Sequence, residues 1–497
     1  MKNIILFIIF VFFTTYHTFG QTPNFPFPNH TVYAGNHIKP NNYTQTELDN
    51  QVKSFYDDWK QEYLKNDCGS TNEYYVFTGN GAINVSEGQG YGMMITVYLA
   101  GYDINSKVYF DGLYNFYKSH PSNINPNLMD WQQVTCNDTS SSDDDAASDG
   151  DIDIAFALLL AHMQWGSTGT INYLSEAQTI INAIMQDEIN QEKWSVKLGD
   201  WSDVSKPNYY YGTRPSDFIT DHFRIFACFD NNWNTVINTC YSLIENMQQN
   251  YSPSTGLIPD FIINVNTNPS PAGANYLENV TDGDYYYNAC RVPWRLGTDY
   301  LINNEIKAKT AINNINFWLQ TASGGNVNNI SNGYNLDGTA MYNWNDATFI
   351  GPFTVGAMAD ISNQTWLNSL YQELVENNEL ANGDYYSNTI KLLSMIVITG
   401  NYWAPDCNSL SVDNFKSDNN IVKIYPNITK GVFNLDYNQT IKNDLIYKIT
   451  DIKGNVLLKN DLRNNRQIVD ITSFETGMYF VSIITENRVI TRKMIKE

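Results

Sequence analysis

Glu87 stands in the run Ser86-Glu87-Gly88-Gln89-Gly90-Tyr91-Gly92, directly ahead of the apolar stretch from Met93 to Ala100. An acid set among glycines between a polar loop and a helix start has open space for a ligand on one side. On the other side it meets a low-dielectric wall. Such a wall raises a carboxyl pKa and turns the group into a proton donor near neutral pH. The same position also suits an acid that merely complements a helix dipole. Chemistry at Glu87 therefore requires a partner.

A second group of acids lies in Ala147-Ser148-Asp149-Gly150-Asp151-Ile152-Asp153, followed by the apolar run from Ile154 to Trp165. Asp149 and Asp151 precede a strongly apolar helix, at the end whose dipole favours anions; Asp149 also suits an N-cap. Alternating acids at 149, 151 and 153 suggest a calcium loop, but Ile154 occupies the place where the turn glycine must be. The run Asp143-Asp144-Asp145 reads as a solvated loop.

These acids need a scaffold. Between residues 46 and 400 the apolar spacing is helical. Leu48, Val52, Phe55, Trp59 and Tyr63 fall at steps of three and four after a Thr46-x-x-Asp49 start that resembles a capping box. Similar segments recur at about 88–101, 106–119, 151–165, 172–188, 216–228, 231–249, 289–302, 304–322, 350–360, 364–377 and 385–399. Twelve helices suit six antiparallel pairs closed into an all-α (α/α)6 barrel. A helical solenoid has the same count but calls for a fixed period, and none is visible. After a polar linker at 404–420, residues 421–497 change to period two, with Phe433, Leu435, Tyr437 and Tyr479, Val481, Ile483 alternating. This predicts a small β-sandwich.

Lys2 and the apolar stretch Ile4–Phe13, ending near Gly20, describe a secretory signal peptide at 1–20. The following residues 21–403 then form the main body. Six cysteines permit one or two disulfides in an oxidising compartment but assign none. There is no Cys-x-x-Cys or His-x-x-x-His pair, so a zinc site has little support. The last 77 residues carry a balance of +4 and the remainder −26. That acidity argues against nucleic acid and anionic membranes and suits a cationic partner. The 34 Tyr, 11 Trp and 24 Phe offer flat faces for sugar rings as well as core packing.

Taken together, the Ser86–Met93 segment and residues 147–165 resemble glycoside hydrolase family 8 across about residues 30–403. The resemblance implies an (α/α)6 barrel and hydrolysis of β-1,4-linked glycans with inversion, without metal or cofactor. It makes Glu87 the general acid and Asp149 the residue that holds the sugar at the scission point. The family's usual base is the Asp of a Tyr-Asp-Ala-x-Arg segment. Here the segment reads Tyr287-Asn288-Ala289-Cys290-Arg291, and an amide cannot act as that base. Two explanations follow: an inactive glycan-binding protein, or a base from elsewhere. In the chitosanase-type branch the Asp is likewise replaced by Asn, and a Glu in an insertion serves instead. Residues 251–286 form such an insertion, and Glu278 at its centre matches; Asp282 and Asp284 compete with it.

Trp131 matches a sugar-stacking position, and Arg291 an arginine that orients the acids. Tyr91, Asn288, Asp217 and Tyr386 are further candidate substrate contacts. The C-terminal segment, with Ile424-Tyr425-Pro426-Asn427, Gly477-Met478-Tyr479 and Arg492-Lys493-Met494-Ile495-Lys496, resembles a type IX secretion sorting domain. It implies the secretion machinery as a partner, a secreted or cell-surface location, and later removal of the tail. The leading expectation is an inverting endo-hydrolase of chitosan, whose amines an acidic cleft would attract. The alternatives are an endo-β-1,4-glucanase or lichenase on neutral glucans, and the inactive binder.

Overall fold

In the computed structural model, which describes residues 22–79, 81–137, 145–376, 378–410, 422–437, 445–451, 456–484 and 489–497, the helical periodicity folds as twelve principal helices. They are α1 (Gln45–Tyr63), α2 (Ser86–Tyr98), α3 (Ser106–Ser119), α4 (Ser148–Trp165), α5 (Tyr173–Asp187) and α6 (Thr220–Phe226). After these come α7 (Trp233–Asn250), α8 (Val292–Asn303), α9 (Ile306–Ala322), α10 (Ala347–Ala357), α11 (Gln364–Val375) and α12 (Tyr385–Ile398). The even-numbered helices neighbour one another in a closed ring, and each odd-numbered helix packs outside an even-numbered one. This is the expected (α/α)6 barrel.

The sequence distinguishes the two rings. The outer helix α1 buries Leu48, Val52, Phe55, Trp59 and Tyr63 on one stripe, as an amphipathic surface helix must. Inner helices α2 and α4 are apolar on nearly every side and buried almost throughout.

Three local expectations change. The capping box of α1 lies two residues earlier, between Thr44 and Glu47 rather than Thr46 and Asp49. The helix expected over 216–228 is shorter, because Pro215–Asp217 forms a separate 3-10 turn before α6. Asp149 is not an N-cap: that position is Ala147, and Asp149 lies within the first turn of α4. Residues 1–20, Asp143, Asp144 and linker positions 411–420 lie outside the described residues.

All inner helices run the same way, so their N-termini share one end of the barrel. At the other end, the segment before α1 crosses their C-termini. The backbone N–H groups of Asn24, Phe27, Thr31, Gly35 and Ile38 donate to the carbonyls of Gln164, Ala100, Gly400, Leu301 and Met358 (2.7–3.1 Å). These are carbonyls near helix C-termini, which need partners from outside the helix. That seal leaves the N-terminal end, with its converging positive dipole ends, as the face where anions are favoured.

Two glycines bring α2 and α4 together there. A Cβ on Gly150 would lie 2.4 Å from Ser86 Oγ and 2.6 Å from the Ser86 carbonyl carbon. One on Gly90 would lie 2.9 Å from Asp153 Cβ. The helices therefore touch backbone to backbone, one residue from both Glu87 and Asp149.

Disulfides join Cys68 to Cys136 and Cys228 to Cys407, leaving Cys240 and Cys290 buried and free.

The second unit is the expected sandwich. Its strands are β1 (Val422–Tyr425), β2 (Ile428–Thr429), β3 (Val432–Tyr437), β4 (Leu445–Asp451), β5 (Val456–Leu462), β6 (Arg466–Asp470), β7 (Gly477–Ile484) and β8 (Val489–Lys496). One sheet has the order β2-β8-β7-β4-β5 and the other β6-β3-β1. Among the described residues of this unit, only β2 and β8 pair in parallel. The alternating residues Phe433, Leu435, Tyr437, Tyr479, Val481 and Ile483 all enter its core.

Gly150→Ala is expected to destabilise the barrel by about 1–3 kcal/mol, the usual cost of overpacking, despite alanine's better helix propensity. Thermal unfolding checks this; an unchanged or raised Tm would show that the two helix starts can part.

Candidate active site

Asn288, Ala289, Cys290 and Arg291 form a tight turn that feeds α8. Arg291 points from it into the end of the barrel and is only 1% exposed. A buried guanidinium must be matched by acceptors or it is prohibitively costly. Its Nη1 donates to Glu87 Oε2 (2.6 Å), Asp149 Oδ2 (2.9 Å) and Tyr91 Oη (3.2 Å). Its Nη2 donates to Ser216 Oγ (2.9 Å) and Asn288 Oδ1 (3.1 Å). Residues far apart in sequence thus converge on one planar cation.

A second cation, Arg214, spans the other side. Its Nη1 lies 3.5 Å from Asp149 Oδ2 and 3.9 Å from Asp217 Oδ2, and its Nη2 donates to Glu278 Oε1 at 3.1 Å. The remaining Glu278 oxygen accepts from Asn288 Nδ2 at 2.8 Å. Asn288 therefore bridges Arg291 and Glu278, accepting with its oxygen and donating with its nitrogen. A carboxylate at 288 would have no N–H for Glu278 and would repel it.

The charges divide the acids. Burial, reinforced by Asp149, raises the Glu87 carboxyl to about 7 even against the pull of Arg291 and Arg214. Burial also acts on Asp149, but Arg291 and Arg214 together outweigh it and hold its pKa below the ordinary carboxylate value. Asp217 is pushed up to about 7, mainly by burial. The site thus pairs an acid that retains a proton near neutrality with a neighbour that does not.

The structure sorts the other candidates. Trp131 is 37% exposed; with Trp201, Leu277, Arg214 and Glu278 it lines a groove of about 460 Å³. Tyr386, in the first turn of α12, donates to the Tyr287 carbonyl at 2.6 Å and has its ring 6.0 Å from the Arg291 guanidinium. Asp217 is fully buried beneath Arg214 and accepts from Ser216 Oγ. Tyr91 is also fully buried, its ring against Trp294. Neither Asp217 nor Tyr91 presents a surface to a ligand; both support the arginines instead. Asp282 is spent on backbone N–H groups of residues 277–279. Asp284 lies against the ladder at Asp260, with its backbone carbonyl accepting from Asp260.

Two groups escaped sequence reading: Arg214 and Trp201. Arg214 had a signal, as the one cation in an Arg-Pro-Ser-Asp run; Trp201 had none. Asp153 is no calcium ligand, because Arg295 and His222 occupy its carboxylate. A larger cavity, about 570 Å³ between α7 and α9, is lined by Ile244, Ile306 and Ala311 and holds none of these acids.

Comparison with known proteins bears on this geometry. Glycosyl hydrolases family 8 matches residues 44–400, and the Secretion system C-terminal sorting domain matches residues 423–497. A beta-glucanase of Niallia circulans is 45% identical over 383 residues, covering 77% of this chain and 92% of the relative. An endoglucanase of Bacillus sp. (strain KSM-330) is 41% identical, covering 76% of this chain and 82% of the relative. Among solved structures, the apo beta-1,3-1,4-glucanase from Paenibacillus sp. X4 superposes with a TM-score of 0.74 at 45% identity. That match covers 77% of this chain and all of the other. A cold-adapted family 8 xylanase gives 0.61 at 22% identity, over 72% of this chain and 92% of its own, and shows the shared fold.

Titrating the Glu87 carboxyl by NMR is expected to give a midpoint near 7. Asp149→Asn removes a like charge and frees Arg291 for Glu87, so the midpoint moves down. An upward shift would contradict this account of the pair.

Proposed function

This chain belongs to glycosyl hydrolases family 8, and from that premise we propose that it is an endo-β-glucanase cleaving β-1,4 bonds of mixed β-1,3-1,4-glucan with inversion at the anomeric carbon. The observation that carries the mechanism is the split between Glu87 and Glu278. One carboxyl is raised to about 7 by burial. The other is partly exposed and held by Arg214 and Asn288.

Inversion needs an acid behind the leaving oxygen and a base for water on the opposite face, with the carboxyls about 6.5–9.5 Å apart. Arg291 occupies Glu87 Oε2, so the transferable proton sits on Oε1. As the C1–O bond breaks, that proton passes to the leaving oxygen. Water attacks C1 and gives its proton to Glu278, and exchange with solvent restores both groups. Asp149 stays ionised and faces the positive charge that develops on the ring. The absence of an aspartate at 288 is then a relocation of the base rather than a loss of activity. Trp131 and Trp201 provide stacking faces for neighbouring sugars.

The tail is a type IX sorting domain, so the enzyme is secreted or held at the cell surface. We assign residues 1–20 to a signal peptide, 21–403 to the catalytic domain, 404–420 to a linker and 421–497 to the sorting domain.

Chitosan is the second reading, favoured by the −26 balance outside the tail. The glucan reading ranks first because the relatives named above are glucanases.

Reducing-end release from lichenan, carboxymethyl cellulose and chitosan separates the two, with lichenan expected to be cleaved fastest. Preference for chitosan would reverse the order, and inertness on all three would favour a glycan-binding role. Glu278→Gln is expected to lower kcat about 10²–10⁴-fold; undiminished turnover would remove Glu278 as the base. Because Glu87 must hold its proton to donate it, kcat/KM is expected to fall as pH rises through about 7. That fall should move to lower pH in Asp149→Asn.

A further inference from the structure

Glu278 sits on an irregular arm, outside any helix or strand. A base that must stay aimed at one water needs a rigid mount, because misplacement by about 1 Å can cost about a hundredfold in rate. The structure supplies that mount through one buried side chain. Asp282 is fully buried, and its carboxylate accepts from three consecutive backbone amides. Oδ2 accepts from Leu277 (2.7 Å) and Glu278 (3.0 Å), and Oδ1 from Asn279 (2.9 Å). Both oxygens are thus committed to the peptide that bears the base.

The mount connects to the rest of the site through a short ladder. The Asp282 carbonyl accepts from Phe261 N (2.9 Å), and Ile262 exchanges hydrogen bonds with Thr213 (2.8 and 2.9 Å). Thr213 immediately precedes Arg214, the cation on Glu278 Oε1. The neighbouring Asp260 accepts from Tyr286 N (3.0 Å) and Ala289 N (2.7 Å), which flank Asn288. Asp282 therefore ties the Glu278 backbone to residues 260–262, which hydrogen-bond in turn to Thr213 beside Arg214 and to the turn that carries Asn288.

We propose that Asp282 is the positioning residue for Glu278. Its carboxylate fixes the 277–279 backbone so that Glu278 meets Arg214 and Asn288 and stays trained on the attacking water. This rests on Glu278 being the base. Asp282 touches neither substrate nor water; it acts through Glu278. A carboxylate is required because each of its oxygens faces N–H groups. An amide would turn an NH₂ toward one of those donors, and alanine would leave three buried donors without their acceptor.

The test is a mutant cycle in the full-length protein, using lichenan. Asp282→Asn is expected to lower kcat about ten- to a hundredfold while KM stays within about twofold, since the aromatic sugar platforms are untouched. Asp282→Glu, which keeps the charge, should recover part of the loss. Combining Asp282→Asn with Glu278→Gln should leave turnover where Glu278→Gln alone puts it, because residues acting as a unit are non-additive. The folded fraction from circular dichroism normalises each rate, so an Asp282 variant that unfolds is read through the Glu variant instead. Wild-type kcat in Asp282→Asn would overturn the proposal, as would a double variant that loses the same further factor. Undiminished turnover in Glu278→Gln alone would instead overturn the base assignment.

Discussion

The site is organised around the buried guanidinium of Arg291. A charge in that position is tolerable only when surrounded by acceptors, and satisfying it draws Glu87, Asp149, Tyr91, Ser216 and Asn288 to one point. These partners come from four stretches of chain, the farthest lying 204 residues from Arg291. The cation also sets the chemistry. It keeps Asp149 ionised, yet the burial that accompanies it leaves Glu87 near 7. One wall thus leaves one carboxyl raised to about 7 and its neighbour below the ordinary carboxylate range.

The barrel makes this convergence possible. Six inner helices run in parallel, so six N-termini open on one face while the N-terminal segment seals the other. Glu87 and Asp149 occupy the first turns of α2 and α4, and Arg291 immediately precedes α8. Gly90 and Gly150 set the distance between the first two helices. Their value lies in the missing Cβ rather than in flexibility.

Much of this was legible in advance. The twelve helices followed from apolar spacing, with ends accurate to a few residues, because helices such as α1 and α3 stripe their buried faces. The sandwich followed from the period-two runs at Phe433 and Tyr479 for the same reason. Glu87, Asp149 and Arg291 stood in motifs specific enough to pick out, and the departure at Asn288 directed attention to Glu278. Tyr91 and Asp217, expected as substrate contacts, are both fully buried beside the arginines. An aromatic or acid beside a motif looks like a ligand contact until burial shows which way it faces.

Sequence alone determined the helical and strand periods, the glycine-flanked acid, the missing aspartate at 288 and the presence of Glu278 in the irregular stretch 251–286. These are local properties, carried by residue type and near-neighbour spacing. Only the tertiary structure decided that Arg214 bridges Asp149 and Glu278, that Trp201 faces the groove, and that the Asp282 carboxylate accepts from the 277–279 backbone. Those outcomes depend on which distant segments share a low-dielectric space. Hydrogen-bond partners and pKa shifts arise from that proximity, and the order of residues along the chain does not encode them one by one.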